Sequence, residues 1–454
     1  MNTGAVRRLV TLAIWVPIVS TLGVACSGGS TQVAAECIKV VAESGEKTND
    51  CLPVAPDGER VDLGSPTFSH PTPITNPLHP TSGVQQIIYG GHVDGKPFRT
   101  EVTLLPETKA TPYRGATVDT ALIQYVAYLD GRLQEVAIDR YAQADDGSVW
   151  YFGEDYSAYE DGKVTDTEGT WVVDDKIPAA LIMPAQPRVG NVYRPENVPE
   201  VVFEEVRVEK VDMNIASPSG NISGAMEVNE LHMDGTREGK TFAPGYGEFS
   251  TGEPGGDLEA VSLASPTDRR PDPAPAEFGA LSTAARGVFE AVAASDAERA
   301  KQAAAALNQA WGAVLAKGIP PQMQPQMKRD IGELTTATDV RGWGAAQSAA
   351  LRIAQNELDL RLLYQPVIDV DRGRLALWAD QLPVDVTADD TGAVLGDVAA
   401  LEQVWKRTRP GVEQAAAMDS ALQELRRAGD DEDLSAVLRA AATLVEAVRG
   451  LHAR

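Results

Sequence analysis

Trp150, Phe152 and Glu154 are the residues whose types and spacing most invite chemistry in this chain of 454 residues. On a β-strand, side chains two apart share a face, so the indole, the phenyl ring and the carboxylate would point one way, with Val149, Tyr151 and Gly153 on the other. A carboxylate at the end of an aromatic face suits a cationic ligand, or an ion pair with an arginine such as Arg194. A sheet core closed by a structural ion pair is the plainer reading of the same four residues.

Other chemistry finds little support. The five histidines are scattered at His70, His79, His92, His232 and His452, with no His-Glu-x-x-His among them. The last third contains only His452, which excludes a Glu-x-x-His di-iron site between helices. His92 and His232 read as hairpin residues, and neither a metal nor another cofactor is expected. No Gly-x-Ser-x-Gly, P-loop or dinucleotide fingerprint occurs. Ser44-Gly45-Glu46-Lys47 matches Ser-x-x-Lys, but it falls inside the short loop between Cys37 and Cys51 instead of opening a helix. Acidic turns such as Asp145-Asp146-Gly147 lack the alternating ladder of a calcium loop, and turn geometry accounts for them. No residue is nominated for catalysis.

The N-terminus carries an address. Arg7 and Arg8 precede an apolar run from Leu9 to Val24, and the small residues Gly23-Val24-Ala25 stand before Cys26. Cys26 followed by Ser27-Gly28-Gly29-Ser30 reads as a lipobox, although Gly23 stands where leucine is usual. Residues 1–25 are therefore expected to be removed and Cys26 lipidated. The mature chain would be anchored to the outer face of the cytoplasmic membrane, or to an outer membrane where the host has one. In that oxidising compartment Cys37 and Cys51 are expected to form a disulfide.

Residues 26–84 read as a tether, with the small Cys loop followed by a Pro-rich run from Pro66 to Pro80. From 85 to 263, alternating apolar segments are separated by Asp-Gly turns at Asp94, Asp130, Asp146, Asp161 and Asp234, the pattern of an antiparallel β-meander or half-barrel. This stretch resembles a family of uncharacterised exported bacterial proteins, many of them lipoproteins. The resemblance rests on Asp146-Gly147-Ser148-Val149-Trp150-Tyr151-Phe152-Gly153-Glu154-Asp155, on Glu168-Gly169-Thr170-Trp171, and on Ile182-Met183-Pro184-Ala185-Gln186-Pro187-Arg188-Val189-Gly190 with Tyr193-Arg194. It is best over residues 120–195 and implies no activity.

Residues 264–277 read as a Pro-rich linker, and 278–454 as a helical bundle of two four-helix copies, about 278–368 and 372–454. Ala305-Ala306-Leu307 to Trp311 recurs as Ala399-Ala400-Leu401 to Trp405, an offset of 94 that Asp296 and Asp390, and Asp339 and Asp433, also obey. These acidic turns are expected to cap helices, Ser295 with Glu298 forming a capping box. The fold class is thus α+β.

The net charge of −25 is concentrated before residue 278, where 41 acids face 21 bases, against 24 and 19 after it. Such a surface repels nucleic acid, so the expected partners are the membrane, through the lipid, and an unknown protein or small molecule. The expected function is non-catalytic binding or scaffolding in the envelope. The rivals are a substrate-capture component of a transport system and a cell-envelope hydrolase. Lipidation predicts that Cys26→Ser releases the protein from membranes and abolishes acyl labelling. Unchanged membrane retention of that variant would refute the assignment.

Overall fold

The computed structural model describes residues 37–42, 45–252 and 256–453. The signal peptide and Cys26 lie outside the described residues. A β domain is followed by eight helices, the α+β order expected from the patterning.

Two short strands, β1 (Lys39–Val41) and β2 (Lys47–Cys51), form a hairpin closed by the Cys37–Cys51 disulfide, whose Cα atoms are 5.1 Å apart. The main sheet follows: β3 (Gln86–Val93), β4 (Lys96–Tyr113), β5 (Ala116–Leu129), β6 (Arg132–Gln143) and β7 (Val149–Glu160), then the short β8 (Lys163–Asp166), β9 (Trp171–Val172) and β10 (Ala180–Met183). It continues through β11 (Val192–Val198), β12 (Val202–Ser217), β13 (Gly220–His232), β14 (Arg237–Ala243), β15 (Gly247–Gly252) and β16 (Leu258–Ser265). Every pairing within it is antiparallel, and β16 returns to pair with β3. The two ends of the path, β10 and β11, lie against each other. The sheet therefore curls into an up-and-down barrel of twelve strands with a seam at β10 and β11, and inward side chains from all twelve surround a common lumen.

The turns show why this sequence makes hairpins. At Asp94-Gly95, Asp130-Gly131 and Asp161-Gly162 both residues have positive φ, the backbone a two-residue hairpin requires. Arg114-Gly115 adopts the same geometry between β4 and β5 without the Asp-Gly signature.

The stretch read as a tether differs from that reading from Cys37 onward. The β1–β2 hairpin packs Ile38 and Leu52 on Phe203 and Leu231, on the outside of the barrel. Further on, Ile74 and Leu78 enter a core shared with residues of β7, β11, β12, β13 and β14, and His79, Pro80 and Thr81 become part of the lumen wall. Proline brings no N–H, so a Pro-rich strand can be buried with few donors to satisfy. Those that remain have partners: Ile74 N donates to Ser82 Oγ at 2.8 Å, and Thr75 N and Asn76 N donate to Gln143 Oε1 at 2.7 and 2.9 Å.

The helices are α1 (Ala276–Ala293), α2 (Ala297–Leu315), α3 (Met323–Asp339), α4 (Trp343–Arg361), α5 (Val367–Thr387), α6 (Thr391–Thr408), α7 (Ala415–Asp430) and α8 (Leu434–Arg449). In the first four, α1 packs on α2 and α4, and α3 on α4; in the second four, α5 packs on α6 and α8, and α7 on α8. Each set has its own core, with Leu307 and Trp311 buried in one and Leu401 and Trp405 in the other. Asp296 and Asp390, 94 residues apart, accept from Arg299 N and Ala393 N as N-caps. The Asp339 and Asp433 match is a coincidence of spacing: Asp433 caps α8, whereas Asp339 ends α3 and α4 starts after Gly342. The equivalent turn residues are Arg341 and Glu432, both with positive φ, so the second half is shorter by three residues. Ser295, with a φ of 55°, occupies the corresponding turn position one residue before the Asp296 cap, so it forms no capping box.

The bundle covers the outer face of β3 to β6, joined to it by a buried charge network. Arg374 is fully buried; it donates to Asp359 at 2.7 Å, Asp371 at 2.6 Å and Gln86 at 2.8 Å. Arg99 holds Asp359 through two bonds of 2.8 and 2.9 Å. Arg407 donates to Asp371, to Gln124 and to Glu101. Burial alone would raise the Glu101 carboxyl, but Arg374, Arg407 and Arg99 outweigh it and hold the group far below the usual carboxylate range. Three arginines against three carboxylates leave the network neutral, and removing one member would strand a buried charge. A second contact seats the Asp161-Gly162 hairpin tip on α6, where a Cβ at Gly162 would lie 2.1 Å from the Gly396 nitrogen. Only glycine fits there.

Candidate functional site

Strand alternation divides each barrel strand into an inward and an outward row. On β12, Phe203 and Glu205 face out and Glu204 and Val206 face in; on β13, Leu231 faces out and Glu230 and His232 face in. The inward rows enclose two adjoining lobes of about 200 and 250 Å³, which share Tyr125, Asp139, Tyr141, Glu204, Lys240, Glu248 and Glu259.

This lumen is acidic. One group of carboxylates, Glu204, Glu230, Glu238 and Glu248, comes from β12 to β15. A second, Asp139, Glu154 and Glu196, comes from β6, β7 and β11, and a third, Glu135 and Glu259, from β6 and β16. Among the described residues that line it, the only basic ones are Lys240, His232 and His79. Tyrosines fill the spaces between, with Tyr141 stacked on Tyr151 at 4.7 Å and the Tyr151 hydroxyl donating to Asp139 at 2.7 Å.

The register places like charges together. Glu230 and Glu238 are directly opposed across β13 and β14, and Asp139 and Glu154 across β6 and β7. Like charges in such positions destabilise a sheet. Lys240 partly compensates the first pair, its Nζ lying 2.8 Å from Glu230 Oε1. Burial would lower the Lys240 ammonium, but Glu230, Glu248, Glu204 and Glu238 hold it well above its ordinary range. His232 is likewise raised to about 10, because the facing carboxylates outweigh its burial. Where compensation is weaker the carboxyls keep their protons. Burial and Glu204 push Glu230 to about 7 against Lys240 and His232. Burial pushes Glu259 to about 8, with Glu248 adding to the rise and Thr100 and Lys240 opposing it. His79, on the lumen wall, moves the other way, to about 4, through burial.

The aromatic–carboxylate face expected from the sequence is rearranged by one residue. Gly153 has a φ of +116°, and the β6–β7 register shifts between the Asp139↔Glu154 and Tyr141↔Tyr151 pairs. This bulge flips the alternation, so Glu154 joins Tyr151 on the lumen wall while Trp150 and Phe152 point away from it. A Cβ at Gly153 would sit 2.2 Å from the Trp171 carbonyl oxygen, so the bulge depends on glycine. Trp150 and Phe152 are core residues, the first donating its Nε1 proton to Ser148 Oγ at 2.8 Å, the second packed edge-on against Phe68 and Tyr113. Arg194 also lies outside the lumen, paired with Glu205 at 3.1 Å and positioned over the Phe203 ring. Of the four residues, only Glu154 reaches the site.

The lumen groups missed by sequence reading carried one signal, charged residues two apart along a strand. Glu230-x-His232 and Glu238-x-Lys240 are the clearest cases, and His232, a hairpin residue as expected, ends β13 beside the turn into β14. An alternating charged row reads as solvent-facing until the barrel closes over it.

Compared with protein-family models, with curated proteins and with solved structures, the chain has no match.

The retained protons set a pH dependence. Glu259 holds a proton in the folded barrel up to about pH 8, whereas the unfolded carboxyl releases it near the ordinary 4.5. The folded state binds more protons in that window, so this group's contribution to stability falls as pH rises from 4.5 to 8. Glu259→Gln should flatten the decline of Tm between pH 5.5 and 8.5. Superimposable pH profiles for the two proteins would contradict the assignment.

Proposed function

We propose that this protein is a non-catalytic binding protein of the cell envelope, held there by a lipid on Cys26, whose barrel lumen receives a small organic cation of the diamine or polyamine type. The observation that carries the reading is the imbalance of the lumen, in which nine carboxylates face Lys240, His232 and His79. Buried negative charge is costly unless matched, and proton retention by Glu230 and Glu259 is the protein's own partial remedy. A ligand bearing several ammonium groups would replace those protons and add positive charge beside the opposed Asp139 and Glu154. The tyrosine faces between the carboxylate groups suit the methylene segments of such a ligand and add cation–π attraction.

Capture agrees with the architecture. A closed barrel with a bundle clamped to its wall keeps the inward groups fixed, and preorganisation of this kind favours affinity over turnover. The lipobox would place the lumen outside the cytoplasmic membrane, where a soluble cation arrives by diffusion.

Titration of the mature chain with spermidine at low ionic strength should give saturable binding with a Kd below about 1 mM, roughly −4 kcal/mol or better. The double variant Asp139→Asn, Glu154→Gln should bind at least about tenfold more weakly, one tenfold being about 1.4 kcal/mol. Absence of binding, or an unchanged affinity in the double variant, would overturn the reading.

A further inference from the structure

At one end of the lumen the His232 ring stands between carboxylates on both sides. Its Nε2 lies 3.7 Å from Glu230 Oε1 and 3.6 Å from Glu238 Oε2, and its Nδ1 lies 3.7 Å from Glu204 Oε1. These separations exceed the 2.7–3.2 Å of a good N–H···O hydrogen bond, about 2.9 Å at its mode. They come close to another spacing: two ligands each about 2.1 Å from one ion, at a tetrahedral angle, are about 3.4 Å apart.

Atoms here also lack hydrogen-bond partners. His232 Nε2 and Glu238 Oε2 are buried without one among the described residues, and Glu238 is only 7% exposed. The Tyr193 hydroxyl, on a fully buried side chain of the lumen wall beside Glu230, has none either. A buried polar atom without a partner is destabilising unless something supplies one.

We infer that His232, Glu230 and Glu204 form a binding site for a divalent transition-metal ion inside the barrel. The donor set of one imidazole nitrogen and two carboxylate oxygens suits Zn²⁺ or Mn²⁺ better than Ca²⁺, which takes six to eight oxygens. The ligand atoms of Glu204, Glu230 and His232 all lie within 4.8 Å of one another, and Glu238 faces Nε2 of the same ring at 3.6 Å. Glu238 is a positioning residue, the carboxylate that orients the ring toward the ion. Lys240 has a distinct part. Its ammonium, 2.8 Å from Glu230 Oε1, supplies positive charge to the same carboxylate and so competes with the metal.

This inference shares with the proposed function only the premise that ligands reach the lumen. Tag-free mature protein should therefore be titrated with ZnCl₂ and with MnCl₂ by calorimetry, next to the spermidine titration. One equivalent of one of these metals should bind. His232→Ala and Glu204→Gln should each weaken it at least about thirtyfold, and Glu238→Gln about tenfold, within the range for loss of an outer-shell partner. Lys240→Met should tighten it, a change in the opposite direction that a general loss of structure would not produce. Circular dichroism and thermal unfolding report whether each variant keeps its fold. Spermidine binding without stoichiometric metal binding would remove the metal site and leave the amine reading standing. Metal binding unaffected by His232→Ala would also overturn the inference, and metal binding without spermidine binding would support it while removing the amine reading.

Discussion

The closure of an antiparallel sheet over its own charged row is the constraint on which the rest of this structure depends. A strand has two faces, and in a closed barrel only the outer one can be solvated at low cost. Here the inward face carries carboxylates on β6, β7 and on β11 to β16. Their mutual repulsion and desolvation oppose closure, and the protein meets that cost with Lys240, His232 and protons held on Glu230 and Glu259.

Closure against such repulsion needs a rigid wall, and the outer surface supplies it. The bundle binds β3 to β5 through Arg99, Arg374 and Arg407 in a network with no net charge, and α6 receives the hairpin tip at Gly162. On the opposite side the Cys37–Cys51 hairpin and the run through Ile74 and Leu78 pack against β12 and β13. The inward row stays in place because the outward rows are held from two directions. Stability and the proposed function are therefore divided by strand face: the outward side chains hold the barrel shut, and the inward ones would meet the ligand.

Much of the fold was legible in the sequence because it rests on local chemistry. Asp-Gly turns announce hairpins, and the recurrence of Leu307 to Trp311 at Leu401 to Trp405 announces paired helical units with equivalent buried tryptophans. The site was less legible, since it depends on which way each strand turns. One glycine in αL-like backbone, Gly153, moved Glu154 away from Trp150 and Phe152, a one-residue change that period-two reasoning cannot register. The burial of Ile74 and Leu78 was hidden for a related reason: their core partners lie on strands far along the chain, while the local composition is that of a linker.

The central claim is that the lumen holds positive charge from outside the chain, and a crystal structure of the mature protein grown with spermidine tests it most directly. The account requires elongated density inside the barrel, in contact with Asp139 and Glu154 and flanked by Tyr141 and Tyr151. Spermidine density confined to the outer surface, around an inward face that contains only water, would contradict it.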